Sequence, residues 1–387
     1  MIYFDNSATT RISEAALKKY CDVSRECYGN PSSLHKEGFA AERELDLARK
    51  AVLSSLADKL SEVVFTASGS EANNLAIIGR ALSKERYAKG SRIITTDGEH
   101  ASVSAPLEKL EKMGFEVVKI STRGGTIDMN ELAEALTKNV ILVTLMHVNN
   151  ETGALYDIPA AAKLVKQKCP EAFVHVDATQ SYMKIPFTKK SLGADMITLS
   201  SHKIEGPKGV GALVIDPAVI KARGLSPLIL GGGQESGLRS GTENVPAVAA
   251  FGEAVRIAAP TVKDRKANIE ALRDRLISVL SEERFSEISL TRPPLHAPHI
   301  LNITLPSIKS ETMLHFLSSK EIFVSSGSAC SSNSAHVSSA LVAYGRTPEE
   351  ADCSIRISLS EHNTEEEIAL FADALAEGLS RLARKSR

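Results

Sequence analysis

The sequence predicts an α/β protein with a large, mainly parallel β-sheet flanked by helices, followed by a smaller α+β portion. From about residue 62 to 215, short apolar runs alternate with amphipathic helical stretches, which is the pattern of βα units around a parallel sheet. The chain has 387 residues, of which 43% are hydrophobic and 24% charged. It is therefore long enough for a large domain and a smaller one.

Six strands are predicted in the alternating region, each a short apolar run: Glu62–Thr66, Arg92–Thr96, Val140–Met146, Phe173–Val176, Met196–Leu199 and Gly211–Ile215. Amphipathic stretches between them predict helices, for example at Asn130–Leu136 and Ala160–Lys168.

The region after residue 245 is predicted to begin with helices and to continue as an α+β portion. A helix from Val245 is expected to end near Pro260, because proline inside a helix removes a hydrogen bond and clashes with the preceding turn. A second helix, Lys263–Ser281, would connect to the C-terminal portion. That portion contains two predicted strands and a closing helix, at Ile300–Leu305, Ile355–Leu359 and Glu365–Leu382.

Composition limits the classes of partner and location. The formal net charge of −1 gives no electrostatic reason to expect nucleic acid or an anionic membrane as a partner. The first residues show no signal-peptide pattern and no apolar run has the length of a bilayer span, so a cytoplasmic protein is expected. Reduced thiols are expected too, because the five cysteines are odd in number and lack metal-type spacing: Cys21, Cys27, Cys169, Cys330 and Cys353.

Lys203 is the strongest candidate for a catalytic residue. It follows the apolar run that ends at Leu199, and it lies between small hydroxyl residues, His202 and a glycine-rich turn. Desolvation and nearby positive charge both favour loss of its proton, and a neutral lysine forms a Schiff base with an aldehyde. Pyridoxal phosphate is the aldehyde cofactor that proteins hold in this way.

Two further residues follow predicted strands, where ligands of open α/β sheets bind. Asp177 comes directly after Val176 and is placed to pair with a protonated pyridine nitrogen, with Gln180 three residues later. Taken alone, Asp177 is better explained as a helix N-cap. His100 follows Thr96 by four residues and could stack on a cofactor ring and, as a catalytic residue, exchange protons with the substrate, although a lone loop histidine is more often structural.

A phosphate cup is predicted after the first strand of the alternating region. Gly69 and Ser70 lie in a turn of small residues before a helix expected to begin near Ala72, and a helix N-terminus favours anions. Side-chain donors could come from Ser70, Ser200 and His202. A turn of this composition is common, so the motif is weak by itself.

The substrate's carboxylate has two candidate ligands. An asparagine in the segment that follows Met146 could bond a ring hydroxyl or this carboxylate. Arg356 interrupts an apolar predicted strand, where a buried guanidinium needs an anionic partner. A structural ion pair would satisfy Arg356 equally well.

Cys330 lies in a tract of small polar residues, Ser325–Ser334, that is typical of an exposed loop. Free cysteine is usually buried, so a thiol in such a loop is a candidate nucleophile, the alternative being an incidental surface thiol.

Together, these segments resemble the cysteine desulfurase family, within the class V, fold-type I PLP-dependent transferases. The resemblance covers nearly the whole chain. It rests on an ordered set of motifs: Tyr3–Thr10, Gly29–His35, Ser201–Lys203, Gly206–Gly209, Gly231–Glu235, Arg239–Asn244, Ser326–Cys330 and Ser354–Arg356. It implies a seven-stranded sheet in a large domain of residues 13–257, and a small domain of residues 1–12 and 258–387 that carries the cysteine loop.

The resemblance also implies a role for each site residue. The implied cofactor contacts are Lys203 through the Schiff base, Asp177 at the pyridine nitrogen, His100 on the ring face, Gln180 and Asn150 beside the ring, and Gly69, Ser70, Ser200 and His202 around the phosphate. Thr242 would reach the phosphate of the other subunit in a homodimer. Asn150 and Arg356 would bind the carboxylate of L-cysteine. Cys330 would accept its sulfur as a persulfide, releasing alanine, and pass it to an acceptor protein.

Several positions depart from the family pattern. Ser7 and Arg11 replace a common alanine and proline, and Ser70 replaces a threonine while keeping the hydroxyl. The segment after Cys330 is shorter than in members with a long loop, so an iron–sulfur scaffold and a tRNA-thiolation or other thiolation enzyme are both open as acceptors. A selenocysteine lyase, a class V aminotransferase or an inactive PLP-binding scaffold subunit are the alternative functions.

Overall fold

The structure, a computed structural model, describes residues 1–83, 91–306, 308–326 and 337–382. In this part of the chain the strands are β1 Ile2–Tyr3, β2 Glu62–Thr66, β3 Arg92–Thr96, β4 Glu116–Ile120, β5 Val140–Met146, β6 Phe173–Asp177, β7 Met196–Ser200, β8 Gly211–Ile215, β9 Ser289–Leu290, β10 Ile300–Thr304, β11 Ile322–Phe323, β12 Ser325–Ser326 and β13 Ser354–Ser358.

The α-helices of the same residues are α1 Glu14–Glu26, α2 Lys36–Ser55, α3 Gly69–Leu82, α4 Ala101–Lys112, α5 Met129–Ala135, α6 Ile158–Lys168, α7 Lys189–Leu192, α8 Pro217–Lys221, α9 Val245–Val279, α10 Ser310–Ser318, α11 Ser339–Tyr344, α12 Pro348–Asp352 and α13 Glu365–Leu382. A short 3₁₀ turn, Ser201–Lys203, directly follows β7.

The large sheet has seven strands in the order β2-β8-β7-β6-β5-β3-β4, which confirms the predicted fold class. The strands from β7 to β4 in this order are parallel, whereas β8 runs antiparallel to both β2 and β7. The ten-residue connection between β7 and β8 explains this reversal, because a parallel crossover needs a longer connection, usually a helix. A four-stranded antiparallel sheet, β12-β13-β10-β9, forms the centre of the C-terminal portion.

Strand β4 was not predicted, and the reason is its position at the edge of the sheet. Its residues Glu116 to Lys119 are exposed or half-buried, and only Ile120 is buried. An edge strand with charged ends lacks the continuous apolar run that identifies the central strands.

The parallel order of β5, β6 and β7 brings their carboxyl ends to one edge of the sheet. Met146, the last residue of β5, lies opposite Asp177, the last residue of β6, and Asp177 lies opposite Thr198 in β7. Residues that immediately follow these strands are therefore neighbours, although they are distant along the chain.

Helix α9 corrects the predicted break at Pro260, because it runs without interruption from Val245 to Val279 with Pro260 inside it. An interior proline costs about 3 kcal/mol. Burial at both ends of the helix offsets this cost, since Phe251 packs in the core of the large sheet and Leu276 packs in the core of the C-terminal portion. By length and composition α9 is apolar enough to cross a membrane, but the same packing makes it a core helix here.

Buried apolar side chains form separate clusters. Two clusters flank the large sheet and together extend from Ala16 to Ala258. A third joins Ile2 and Phe4 to residues from Ile269 to Leu375. The predicted division into residues 13–257 and residues 1–12 with 258–387 follows the same pattern and stays a prediction.

Candidate active site

A cavity of about 300 Å³ opens at the carboxyl edge of the large sheet, where β13 and the N-terminal segment approach it. Ten of the predicted site residues line it: Gly69, Ser70, His100, Asn150, Asp177, Gln180, Ser200, His202, Lys203 and Arg356. The edge of a parallel sheet therefore gathers residues from six separate segments into one site.

Lys203 ends the 3₁₀ turn that follows β7 and points into this cavity. Its Nζ donates hydrogen bonds to the carbonyl oxygens of Ser7, at 2.5 Å, and Ala8, at 2.7 Å. Gly206 permits the tight turn, because a Cβ at that position would lie 2.1 Å from the Oγ of Ser201. The N-terminal segment thus holds the lysine at the cavity wall through two backbone carbonyl groups.

Asp177 is the last residue of β6 and is only 6% exposed. Its Oδ1 accepts from the backbone N–H of Thr179 at 2.9 Å, and its Oδ2 accepts from the Nδ2 of Asn73 at 2.8 Å. The backbone after Asp177 forms turns rather than a helix, so the N-cap interpretation is wrong. A buried carboxylate whose hydrogen-bond partners here are neutral suits a cationic partner such as a protonated pyridine nitrogen.

His100 both caps helix α4 and lines the cavity. Its Nδ1 accepts from the backbone N–H of Ser102 at 3.1 Å and lies 2.8 Å from the Oγ of the same residue. Burial lowers the pKa of the His100 imidazole, with a smaller effect of Lys203 in the same direction and an opposing effect of Asp177.

The predicted phosphate cup has the donors that a phosphate needs. Helix α3 begins at Gly69, three residues earlier than predicted, because Ser68 is its N-cap and accepts from the N–H of Glu71. A Cβ on Gly69 would lie 3.2 Å from the Cβ of Ser200, so glycine allows the helix N-terminus to approach β7 closely. Helix N–H groups and the hydroxyls of Ser70 and Ser200 border the cavity together.

His202 completes this side of the cavity. Burial lowers the pKa of its imidazole to about 4, and Lys203 and two further lysines contribute. Its Nδ1 lies 3.1 Å from the Oγ1 of Thr9. With an anion cup, a lysine amine and a buried carboxylate around one cavity, the residues present fit pyridoxal phosphate.

Arg356 makes a structural ion pair and also lines the cavity, so its role toward a substrate carboxylate stays a prediction. Its Nη2 donates to the Oδ1 of Asp5 at 2.8 Å, and its Nη1 donates to the carbonyl oxygen of Asn150 at 2.9 Å. A guanidinium has five N–H groups, so three remain after these two bonds. They are sufficient for a substrate carboxylate.

The two candidate asparagines have different environments. Asn149 is buried and holds its own turn, since its Oδ1 accepts from the N–H groups of Glu151 and Thr152 and its Nδ2 donates to the carbonyl oxygen of Gly98. Asn150 lines the cavity. Of the two, Asn150 is therefore the one available to a ligand.

Gln180 also lines the cavity, and its Nε2 donates to the carbonyl oxygen of Ser7 at 2.9 Å. Thr242 is exposed and lies outside the residues that line this cavity. Cys330 lies outside the described residues. The nearest described residues on either side of it are Ser326, which lines the cavity, and Val337.

The structure adds four residues that sequence reasoning missed: Asp5, Asn73, Ser102 and Glu151. Asn73 follows Ser70 by one helical turn, so helical periodicity from the phosphate cup could have identified it. Glu151 directly follows Asn150; its carboxylate accepts from the Oγ of Ser338 at 2.5 Å, and burial raises its pKa to about 7.

Comparison with known proteins gives a consistent result. The model of the class V aminotransferases matches residues 2–371. The chain is 39% identical to a NifS/IcsS protein homolog of Lactobacillus delbrueckii subsp. bulgaricus, over 97% of each chain. It is 36% identical to cysteine desulfurase IscS 1 of Archaeoglobus fulgidus, over 100% of this chain and 99% of the relative. A solved NifS-like protein superimposes with a TM-score of 0.90 at 35% identity, covering 98% of this chain and 99% of its own.

Proposed function

Because the chain belongs to the cysteine desulfurase family of class V aminotransferases, we propose that it removes sulfur from L-cysteine with the help of pyridoxal phosphate. The products are L-alanine and a persulfide on Cys330, which makes the protein a sulfurtransferase. The observation that carries this proposal is the single cavity shared by Lys203, Asp177, His100 and Arg356.

Each of these side chains has a separate task in the proposed reaction. Arg356 binds the substrate carboxylate, and Asn150 supports it from the adjacent turn. Lys203 would hold the cofactor aldehyde and would move the proton at the substrate Cα. Asp177 would pair with the pyridine nitrogen, Gln180 would hold the ring hydroxyl, and His100 would hold the ring face. The bound cofactor supplies an electron sink for the pair released from the Cα–H bond.

Sulfur transfer falls to Cys330. Its thiolate attacks the substrate sulfur, a new S–S bond forms, and the broken C–S bond leaves its electron pair on the substrate carbon, which is protonated to alanine. Two described contacts support this assignment: Ser326 lines the cavity, and Ser338 donates to Glu151, which also lines it. These residues flank the segment 327–336.

A homodimer is proposed as the working form. Several large apolar side chains are strongly exposed, among them Tyr28 at 75%, Leu34 at 90%, Leu60 at 80% and Leu230 at 79%. Contiguous exposed apolar surface marks an interface, and we infer that these side chains contact the partner subunit. Thr242 follows Leu230 by twelve residues and is exposed as well, which supports its assignment to the phosphate of the partner subunit.

The acceptor is proposed to be another protein, either an iron–sulfur scaffold or an enzyme of tRNA or cofactor thiolation. A cytoplasmic location is proposed because the four cysteines of the described residues, Cys21, Cys27, Cys169 and Cys353, are all free thiols. The net charge of −1 supports a protein acceptor rather than direct binding of nucleic acid.

The proposal is tested with purified protein that has been loaded with pyridoxal phosphate. L-Cysteine is added with a thiol reductant, and alanine and sulfide are measured together. Equal amounts of both are expected. A keto acid that retains the sulfur, 3-mercaptopyruvate, would indicate an aminotransferase, and a strong preference for selenocysteine would indicate a selenocysteine lyase. A protein that binds the cofactor and turns over none of these substrates would contradict the proposal.

A further inference from the structure

A chain of hydrogen bonds connects Asp177 to His100 through two residues that have no part in the proposed chemistry. The Nδ2 of Asn73 lies 2.8 Å from the Oδ2 of Asp177 and 2.8 Å from the Oγ of Ser102. The same Oγ lies 2.8 Å from the Nδ1 of His100. Asn73 lies on α3 and Ser102 on α4, so the chain also links two helices.

The chemistry of these groups gives the chain a direction. A carboxylate only accepts hydrogen bonds, so the atom of Asn73 that faces Asp177 is its amide nitrogen. An amide nitrogen only donates, and its second hydrogen is directed at Ser102. The Ser102 oxygen therefore accepts from Asn73, and its own hydrogen is available for the Nδ1 of His100.

A second donor reaches the same ring nitrogen. The backbone N–H of Ser102 is directed at Nδ1 from 3.1 Å, as expected for a side chain that caps a helix. A proton on Nδ1 would face this N–H at close range. The lone pair of Nδ1 thus accepts two hydrogen bonds. In a neutral ring the proton must therefore be on Nε2.

The surroundings of His100 act mainly against a cation, although the nearby charges oppose one another. The ring lies at the N-terminus of α4, where the helix dipole is positive. Lys203, after β7, also disfavours the imidazolium, while Asp177, at the end of β6, favours it. Burial is the largest influence and disfavours the charged form.

We propose that Asn73 and Ser102 are positioning residues that hold His100 as a neutral imidazole with its proton on Nε2, so that it meets the substrate as a hydrogen-bond donor. This inference rests on the proposed desulfurase function. It gives His100 the role of stabilising negative charge on the substrate, such as a thiolate sulfur. Acceptance of the thiol proton at Nε2 would require a change of tautomer and the loss of both bonds at Nδ1.

The position of the proton can be observed directly. Crystals of the cofactor-loaded protein are exchanged into heavy water and studied by neutron diffraction at neutral pH. We expect deuterium on the Nε2 of His100, none on Nδ1, and the Ser102 O–D bond directed at Nδ1. Deuterium on Nδ1, alone or together with Nε2, would overturn the inference.

Substitutions test whether Ser102 controls this state. In Ser102→Ala one donor to Nδ1 is lost, so protonation of His100 becomes easier and the acid limb of the kcat/KM profile should move to higher pH, by roughly 0.5 to 1 unit. Ser102→Thr keeps the hydroxyl and should restore the wild-type profile. Ser104→Ala makes the same change two residues along α4, away from the chain of bonds, and should leave the profile unchanged.

Asn73→Ala removes the donor that orients the Ser102 hydroxyl, so donation from this hydroxyl to Nδ1 weakens and the acid limb should move in the same direction. Equal profiles for wild type, Ser102→Ala and Asn73→Ala would overturn the positioning roles.

The neutron result is independent of turnover. A protein with deuterium on Nε2 that makes no alanine from cysteine would contradict the proposed function and support the inferred tautomer. A protein with deuterium on Nδ1 that does make alanine would support the proposed function and contradict the inferred tautomer.

Discussion

The guanidinium of Arg356 and the carboxylate of Asp5 form an ion pair, with 2.8 Å between Nη2 and Oδ1. Arg356 is 6% exposed, so its charge needs this partner even before a substrate binds. The pair also fixes the plane of the guanidinium at the cavity wall. Asp5 therefore orients the group that we assign to the substrate carboxylate.

Arg356→Lys should weaken substrate binding without loss of the cofactor. A lysine keeps the charge and the pairing with Asp5 but cannot make a bidentate contact to a second carboxylate. We expect the KM for L-cysteine to rise about 10- to 100-fold, since a charged hydrogen bond contributes about 1.5 to 3 kcal/mol. Arg275→Lys, a change at a half-exposed arginine, is the control. Loss of cofactor with an unchanged KM would contradict the assignment.

Lys203→Ala should abolish the covalent attachment of the cofactor and slow alanine formation by about 10² to 10⁴-fold, as expected when a proton-transfer group is removed. Borohydride reduction followed by intact-mass measurement checks the first part. The wild-type chain should gain the mass of the reduced cofactor, as should the control Lys190→Ala, in which an exposed lysine is changed. A mass gain in Lys203→Ala would place the attachment elsewhere.

Cys330→Ser should bind pyridoxal phosphate and L-cysteine normally and lose sulfur transfer, because serine cannot form a persulfide. Cofactor absorption, its change on addition of cysteine, and sulfide release are the three measurements. Cys21→Ser, a change at a half-buried thiol on α1, should behave as the wild type in all three. Full turnover to alanine and sulfide by Cys330→Ser would remove Cys330 as the nucleophile.

Glu151→Gln should change the pH dependence of stability. Burial raises the pKa of Glu151 to about 7 from 4.5, so the folded chain retains a proton that the unfolded chain releases. The stabilisation this provides is complete below about pH 4.5 and is lost as the pH rises through about 7. Glutamine stays neutral and can still accept from Ser338.

At pH 8.5 the Glu151→Gln variant should exceed the wild type in free energy of unfolding by about 1 to 2 kcal/mol, and at pH 5 the two should differ much less. Chemical denaturation of the apoprotein at both pH values provides the measurement. Glu287→Gln changes an exposed glutamate and should alter stability equally little at each pH. A variant that is less stable than the wild type at pH 8.5 would be inconsistent with a raised pKa of Glu151.

The central strands could be predicted from the sequence because a strand buried on both faces is a continuous apolar run. Strands β2, β3, β5 and β8 match their predicted bounds, and β6 and β7 each extend one residue further. The residues at their carboxyl ends could be located for the same reason. Strand β4 lies at the edge of the sheet, and α9 continues past Pro260 because both of its ends are packed in a core. Neither feature can be predicted from the local sequence pattern.

The residues that position the site were harder to find because their contacts are distant in sequence. Asn73 reaches Asp177 across 104 residues, and Asp5 reaches Arg356 across 351 residues. Their types, asparagine and aspartate, are common in turns and caps and carry no signal of these contacts. Lys203 was identifiable because its local neighbours are unusual.

The contact between the two ends of the chain determines when the site can be completed during synthesis. The carbonyl groups of Ser7 and Ala8 can bind their partner only after Lys203 has been synthesised. Asp5 can form its ion pair only after Arg356 has been synthesised, 351 residues later. At about 5 to 20 residues per second, a ribosome needs roughly 20 to 70 s to make that length. A nascent chain released early would lack the arginine, while the sheet that carries Lys203 would already be made. Substrate binding is thus expected to become possible only late, largely after translation, and a truncated chain would present the lysine without the arginine that binds the substrate carboxylate.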